Sequence, residues 1–166
     1  MQTEITQDGD RRLHITRRFA AAPEAVWKAW TESELLEQWW APRPWKAVTV
    51  AMDFRPGGAW RYYMESPEGA RLYCRVDYET VVAGESFSAR DAFTDEHGHA
   101  AEAFPNMHWQ NRFSADGDGT LVTIDIDFAT PESLQRIVEM GFKGGFTMAH
   151  GNLDELLAKQ KGAAAL

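Results

Sequence analysis

The C-terminal stretch constrains the fold most. Thr130 is a good helix N-cap, Pro131 suits the first helical position, and Glu132 stands in the first turn. Leu134, Ile137, Val138, Gly141, Gly145, Met148 and Asn152 then recur at three- and four-residue spacing. Phe142, Phe146, Ala149, Leu153, Leu156 and Leu157 widen that stripe. The pattern predicts one long helix over residues 131–159 with a broad buried face. Four glycines interrupt it: Gly141, Gly144, Gly145 and Gly151. Each costs a helix interior about 1 kcal/mol relative to alanine, so roughly 4 kcal/mol has to be offset. Close approach of another backbone, a bend, or room left for a guest molecule would each do so.

Upstream of this helix the period changes to two. Leu13, Ile15 and Phe19 alternate with polar neighbours on a first strand, with Arg17 in the same register as a rim residue suited to a structural ion pair. Pro23 opens a short helix that places Val26, Trp27 and Trp30 on one face. A second short helix, residues 33–40, carries Leu35, Leu36, Trp39 and Trp40 and is stopped by Pro42 and Pro44. Six further alternating runs follow, at 48–54, 60–64, 72–78, 87–93, 107–113 and 122–128. Arg55-Pro56-Gly57-Gly58, Ser66-Pro67-Glu68-Gly69, Ala83-Gly84-Glu85 and Asp116-Gly117-Asp118-Gly119 separate most of them as turns. Residues 94–106 read as a longer polar hairpin loop. A sheet with one apolar face needs a cover, and only the final helix is long enough to supply it. The expected class is α+β: a curved antiparallel sheet of six to seven strands wrapped around a long C-terminal helix, with two short helices after the first strand.

A chain of 166 residues suits one domain, expected over 11–160, with flexible tails at 1–10 and 161–166. Seven Trp, nine Phe and four Tyr imply a core or cavity built heavily from rings. The net charge of −8 argues against nucleic acid and against an anionic membrane surface as partners. Cys74 is the only cysteine, so no internal disulfide can form. No apolar run approaches membrane-spanning length and the polar N-terminus lacks a signal-like apolar region, so no membrane insertion is expected. The expected location is cytoplasmic.

Residues 27–31 (Trp-Lys-Ala-Trp-Thr), 39–42 (Trp-Trp-Ala-Pro) and 53–61 (Asp-Phe-Arg-Pro-Gly-Gly-Ala-Trp-Arg) form a sequence of motifs. With Tyr78, Gly119-Thr120 and Gly145-Phe146, they resemble the activator of heat-shock protein 90 ATPase homologue family. The resemblance runs from about Leu13 to Lys159. It implies a helix-grip fold of the START-like superfamily, also called SRPBCC or Bet v-like, with a hydrophobic cavity between sheet and helix. Members of that superfamily bind lipids, sterols, polyketides or hormones, and some cyclise or hydrolyse them. The namesake stimulates a chaperone ATPase. This chain departs from the family's usual pattern at Phe146, where Trp is usual, at His150, where an apolar residue is usual, and near Thr80, where an acid is often found.

Register places Trp60, Tyr62, Met64, Leu72, Cys74, Val76, Tyr78, Phe87, Asp91, Trp109, Asn111 and Phe113 inward on the strands, and Phe142, Phe146 and His150 inward on the helix. The expected cavity set is Trp60, Tyr62, Met64, Cys74, Asp91, Trp109, Asn111, Gly141, Phe142, Gly145, Phe146 and His150. Rings supply walls, glycines volume, and Asp91, Asn111 and His150 orientation, the usual make-up of a small-molecule pocket. The reading is a non-catalytic domain that binds a small apolar or aromatic molecule and needs no cofactor or metal. Alternatives are a cyclase or hydrolase with His150 or Asp91 as general acid or base, and a protein-interaction module acting on a chaperone. The aromatic segment 39–45 offers a surface for a homodimer. Asp95, Glu96, His97 and His99 lie in a polar loop and read as solvated rather than as a metal site.

Overall fold

Alternation of apolar and polar residues builds one antiparallel sheet, and the computed structural model describes residues 2–99 and 106–164 of the chain. Its eight strands are β1 (Glu4–Asp8), β2 (Arg12–Phe19), β3 (Lys46–Met52), β4 (Ala59–Glu65), β5 (Arg71–Val82), β6 (Ser86–Thr94), β7 (Met107–Asp116) and β8 (Gly119–Phe128). They are ordered β1-β2-β8-β7-β6-β5-β4-β3, so the only crossover joins β2 to β3. That crossover holds α1 (Pro23–Thr31) and α2 (Ser33–Trp39). After β8 come α3 (Pro131–Glu139) and α4 (Phe142–Ala164).

The strands alternate as a half-buried sheet should. On β8, Val122, Ile124, Ile126 and Phe128 are buried while their neighbours are not; opposite them, Leu13 and Ile15 of β2 are wholly enclosed. The turns follow their residues. Gly117, at φ +61°, closes the two-residue loop between β7 and β8. At the β3–β4 connection the Arg55 guanidinium pairs with Asp53 at 2.7 Å, and the Gly58 amide donates to the Arg55 carbonyl. A side chain at Gly58 would stand 2.1 Å from the Asp53 carbonyl oxygen, so this turn requires glycine there.

Three expectations are corrected. Residues 4–8 are not a tail: they form β1, with Ile5 opposite Ile15 and packed against the core. A single apolar residue in a polar stretch gives too weak an alternation to announce a strand. The described residues therefore form eight strands. The C-terminal helix is not continuous over 131–159. It breaks at Met140–Gly141, where Gly141 takes φ +90° and its amide donates to the Val138 carbonyl, the left-handed glycine stop common after helices. The helix after the break runs on to Ala164, past the boundary expected at 160. The loop expected over 94–106 falls partly outside the described residues.

The face of α4 made of Phe146, Ala149, Leu153, Leu156 and Leu157 joins the sheet residues in one apolar cluster. Polar ties fix its position. Asn152 donates to the main-chain carbonyls of Trp39 and Ala41, and Asp154 pairs with the buried Arg17 of β2, the structural role expected of that arginine.

Candidate functional site

Tyr62 and Met64 come from β4, Leu72 and Cys74 from β5, Asp91 and Phe93 from β6, and Met107 and Trp109 from β7. Together they floor a cavity of about 340 Å3. Its roof is the α3–α4 junction: Ile137, Met140, Gly141, Phe142, Gly145 and Phe146. Trp40, Pro42 and Trp45, from the segment leading out of α2, close one side. The volume falls at the lower end of the roughly 300–1,000 Å3 range of small-molecule pockets.

The rings brace one another. Trp109 meets Phe146 edge-on at 5.6 Å, and Phe146 stacks on Phe142 at 5.2 Å. Trp60 lies flat beneath Tyr62 at 3.8 Å, and the Trp40 indole N–H donates to the Tyr62 hydroxyl at 2.9 Å. A second space of only about 30 Å3 adjoins the first, sharing Trp40, Asp91 and Trp109 and lined also by Trp60 and Asn111. It has room for about one water molecule.

The twelve expected residues divide accordingly. Tyr62, Met64, Cys74, Asp91, Trp109, Gly141, Phe142, Gly145 and Phe146 line the larger cavity. Trp60 and Asn111 line the smaller one. His150 lines neither: it sits in the packed layer, 4.2 Å from the Phe146 ring centroid and 5.5 Å from that of Phe19, with Nδ1 hydrogen-bonded to Thr3 Oγ1 at 2.8 Å. The expected set omits Leu72, which register places inward, and Phe93 and Met107 on the strands, and it omits Trp40, Pro42, Trp45, Ile137 and Met140 outside them. A cluster of tryptophans around Pro42 and Pro44 is the signal that could have found the side wall. The roof residues depend on the helix break.

The glycines have separate explanations. Gly141 is the stop between helices. A Cβ on Gly145 would meet only Pro42 Cγ, at an ordinary 3.7 Å, so no backbone presses on it; the room beside it belongs to the cavity. Gly144 and Gly151 face open space, and nothing in the structure requires glycine at either.

Burial pushes the Asp91 carboxyl up to about 7; the Ala92 amide, donating to it, works in the opposite direction, and the charge of Asp77 adds to the rise. Tyr62, Cys74 and Tyr78 are all raised, by burial first and then by neighbouring charge that includes Asp91. Each is neutral near pH 7, and Cys74 is correspondingly unreactive. His150 is lowered to about 3, by burial and then by Arg17, so its imidazole is neutral. In the polar loop, Asp95 Oδ1 accepts the amides of His97 and His99 at 2.8 and 2.9 Å, forming a turn, and no cluster suited to a metal ion occurs among the described residues.

An open antiparallel sheet, a long C-terminal helix and a ring-lined space between them define a helix-grip domain of START-like type. The chain belongs to the family described as Activator of Hsp90 ATPase homolog 1-like protein, whose profile matches residues 20–158. Among solved structures it is similar to protein Ms6760 from Mycobacterium smegmatis, at 31% identity and a TM-score of 0.87 over 95% of this chain and 97% of that one. A protein from Arthrobacter aurescens is 28% identical with a TM-score of 0.88, over 94% of this chain and 91% of that one. The AHSA1 protein from Silicibacter pomeroyi shares the fold at 22% identity and a TM-score of 0.70, covering 90% and 99% of the two chains. No curated protein matches. Among the described residues, no helix is long and apolar enough to cross a membrane.

Proposed function

We propose that this domain binds a small apolar or aromatic molecule in the cavity between the sheet and the start of α4. One observation carries the reading. In a core otherwise closed by packed rings and aliphatic side chains, about 340 Å3 is left open beside Gly145, where no backbone approach calls for glycine. The recess reaches solvent, so a guest can enter, and an apolar one would take the ring-lined walls out of water. The walls are mostly apolar with a few polar groups, Asp91 and Tyr62 foremost, the composition that binds an apolar body and fixes its orientation.

Native mass spectrometry of freshly purified protein, compared with its denatured mass, tests this. The expected result is a discrete added mass that disappears on denaturation and is missing from Gly145→Leu, whose side chain would enter the cavity. An added mass retained unchanged by Gly145→Leu would place the guest elsewhere.

A further inference from the structure

Among the described residues Asp91 is the only carboxylate in the lining of the larger cavity, and no cation there answers it. It retains 9% of its surface and borders both spaces. Its carboxylate accepts the Ala92 amide, and the described lining residues include no Lys, Arg or His. The titratable groups that face it are Tyr62 on β4 and Cys74 and Tyr78 on β5, all neutral, with Asp77 adding charge of the same sign. The cavity residues of α3 and α4 bring no titratable side chain at all. A carboxylate taken out of water is costly unless a positive charge meets it.

The rest of the lining points the same way. The Trp40 N–H is used by the Tyr62 hydroxyl, and the Trp109 N–H is enclosed without a partner, so the donors of the lining are neutral groups and none carries a positive charge. What the cavity presents is a carboxylate among the rings of Trp40, Tyr62, Phe142 and Phe146, and aromatic rings attract cations. The net charge of −8 adds a long-range bias of the same sign.

We infer that the guest is an organic cation, a protonated amine on an apolar or aromatic body, with its ammonium group on Asp91 and its body among the rings. This rests on the binding reading above and names the chemical class that the site takes. The amine donates N–H bonds to the carboxylate, and the cavity rings enclose the remainder. An anion of the same shape would meet Asp91 and the rings with little to receive it.

Three probes of nearly one shape test the inference by calorimetry at about pH 8, where Asp91 is ionised and the amine still protonated: 2-naphthylmethylamine, 2-naphthalenemethanol and 2-naphthoate. The amine is expected to bind about tenfold or more tighter than the alcohol, and the anion more weakly than either. In Asp91→Asn, with near-UV circular dichroism to confirm the fold, the ratio of amine to alcohol affinity should fall to near one. Should that variant fail to fold, the ranking of the three probes on the unaltered protein decides. An alcohol that binds as well as the amine overturns the inference and leaves the cavity reading standing, as does a preference retained by Asp91→Asn. If none of the three binds, the cavity reading fails and the inference with it.

Discussion

The two halves of α4 face the same sheet and meet it differently. Around Ala149–Leu157 the gap is filled: Leu153 is wholly enclosed, His150 is wedged among Phe19, Trp30 and Phe146, and Arg17 and Asn152 tie helix to strand and helix to helix. Around Phe142–Phe146 the gap is bridged by rings alone, and a cavity remains. The sheet beneath differs too. Beside the filled half stand Phe19 and Arg17 of β2, whereas the open half faces Tyr62, Cys74 and Asp91. A ring contact and an ion pair close the gap on that side, but collapse onto Asp91 would bury a carboxyl with no such partner among the described lining residues. The contrast shows how one helix can both lock a fold and leave room under its first turns.

That contrast can be broken by truncation on each side. Leu153→Ala should cost about 2–5 kcal/mol, because a fully enclosed leucine leaves a void that its neighbours cannot fill. Phe142→Ala, at the edge of a space already open, should cost clearly less in the same urea titration. Equal losses would mean that the two halves are packed alike.

A pH series sharpens the comparison through one buried group from each half. Asp91 stays protonated in the folded state up to about 7 while the unfolded chain ionises from 3.8, so rising pH destabilises the fold across that window, by on the order of 4 kcal/mol. His150 stays neutral down to about 3 while the unfolded chain takes up its proton below 6.5, so rising pH stabilises the fold by a similar amount. Between 3.8 and 6.5 the two slopes oppose and largely cancel. Removing one should expose the other: stability of His150→Phe should fall as pH rises from about 4 to 7, and that of Asp91→Asn should rise from about 3 to 6.5. Urea unfolding at half-unit pH steps reads both slopes, and two flat variants would refute the assignment.

Smaller effects separate the glycines. Gly141→Ala should lose roughly 1–2 kcal/mol, since φ +90° strains any residue with a Cβ. Gly144→Ala should gain about 0.5–1 kcal/mol, because that site is ordinary helix with open space beyond it. Thermal melts of the two variants should move in opposite directions.

Much of this was legible in the sequence. Alternation located β2 to β8 and assigned Trp60, Tyr62, Cys74, Asp91 and Trp109 to the buried face, because a period of two admits only one register once a face is apolar. Where signals were local and weak, legibility failed. β1 rests on Ile5 alone. The break at Gly141 was hidden because the apolar stripe resumes on the far side with Phe142 and Phe146, and the same stripe made His150 look as though it faced a guest. Periodicity says which face of a helix is covered, not whether a side chain or empty space covers it. The side wall of Trp40, Pro42 and Trp45 depends on where an irregular segment folds back, which no periodicity encodes.

The most direct test of the account is an amide and side-chain NMR titration with 2-naphthalenemethanol, run on the unaltered protein and on Gly145→Leu. Shifts are expected at Tyr62, Trp109, Phe142 and Phe146, with Leu153 and Ile124 unmoved, and no such response in the variant. Shifts at both halves of α4, or a response that survives Gly145→Leu, would contradict it.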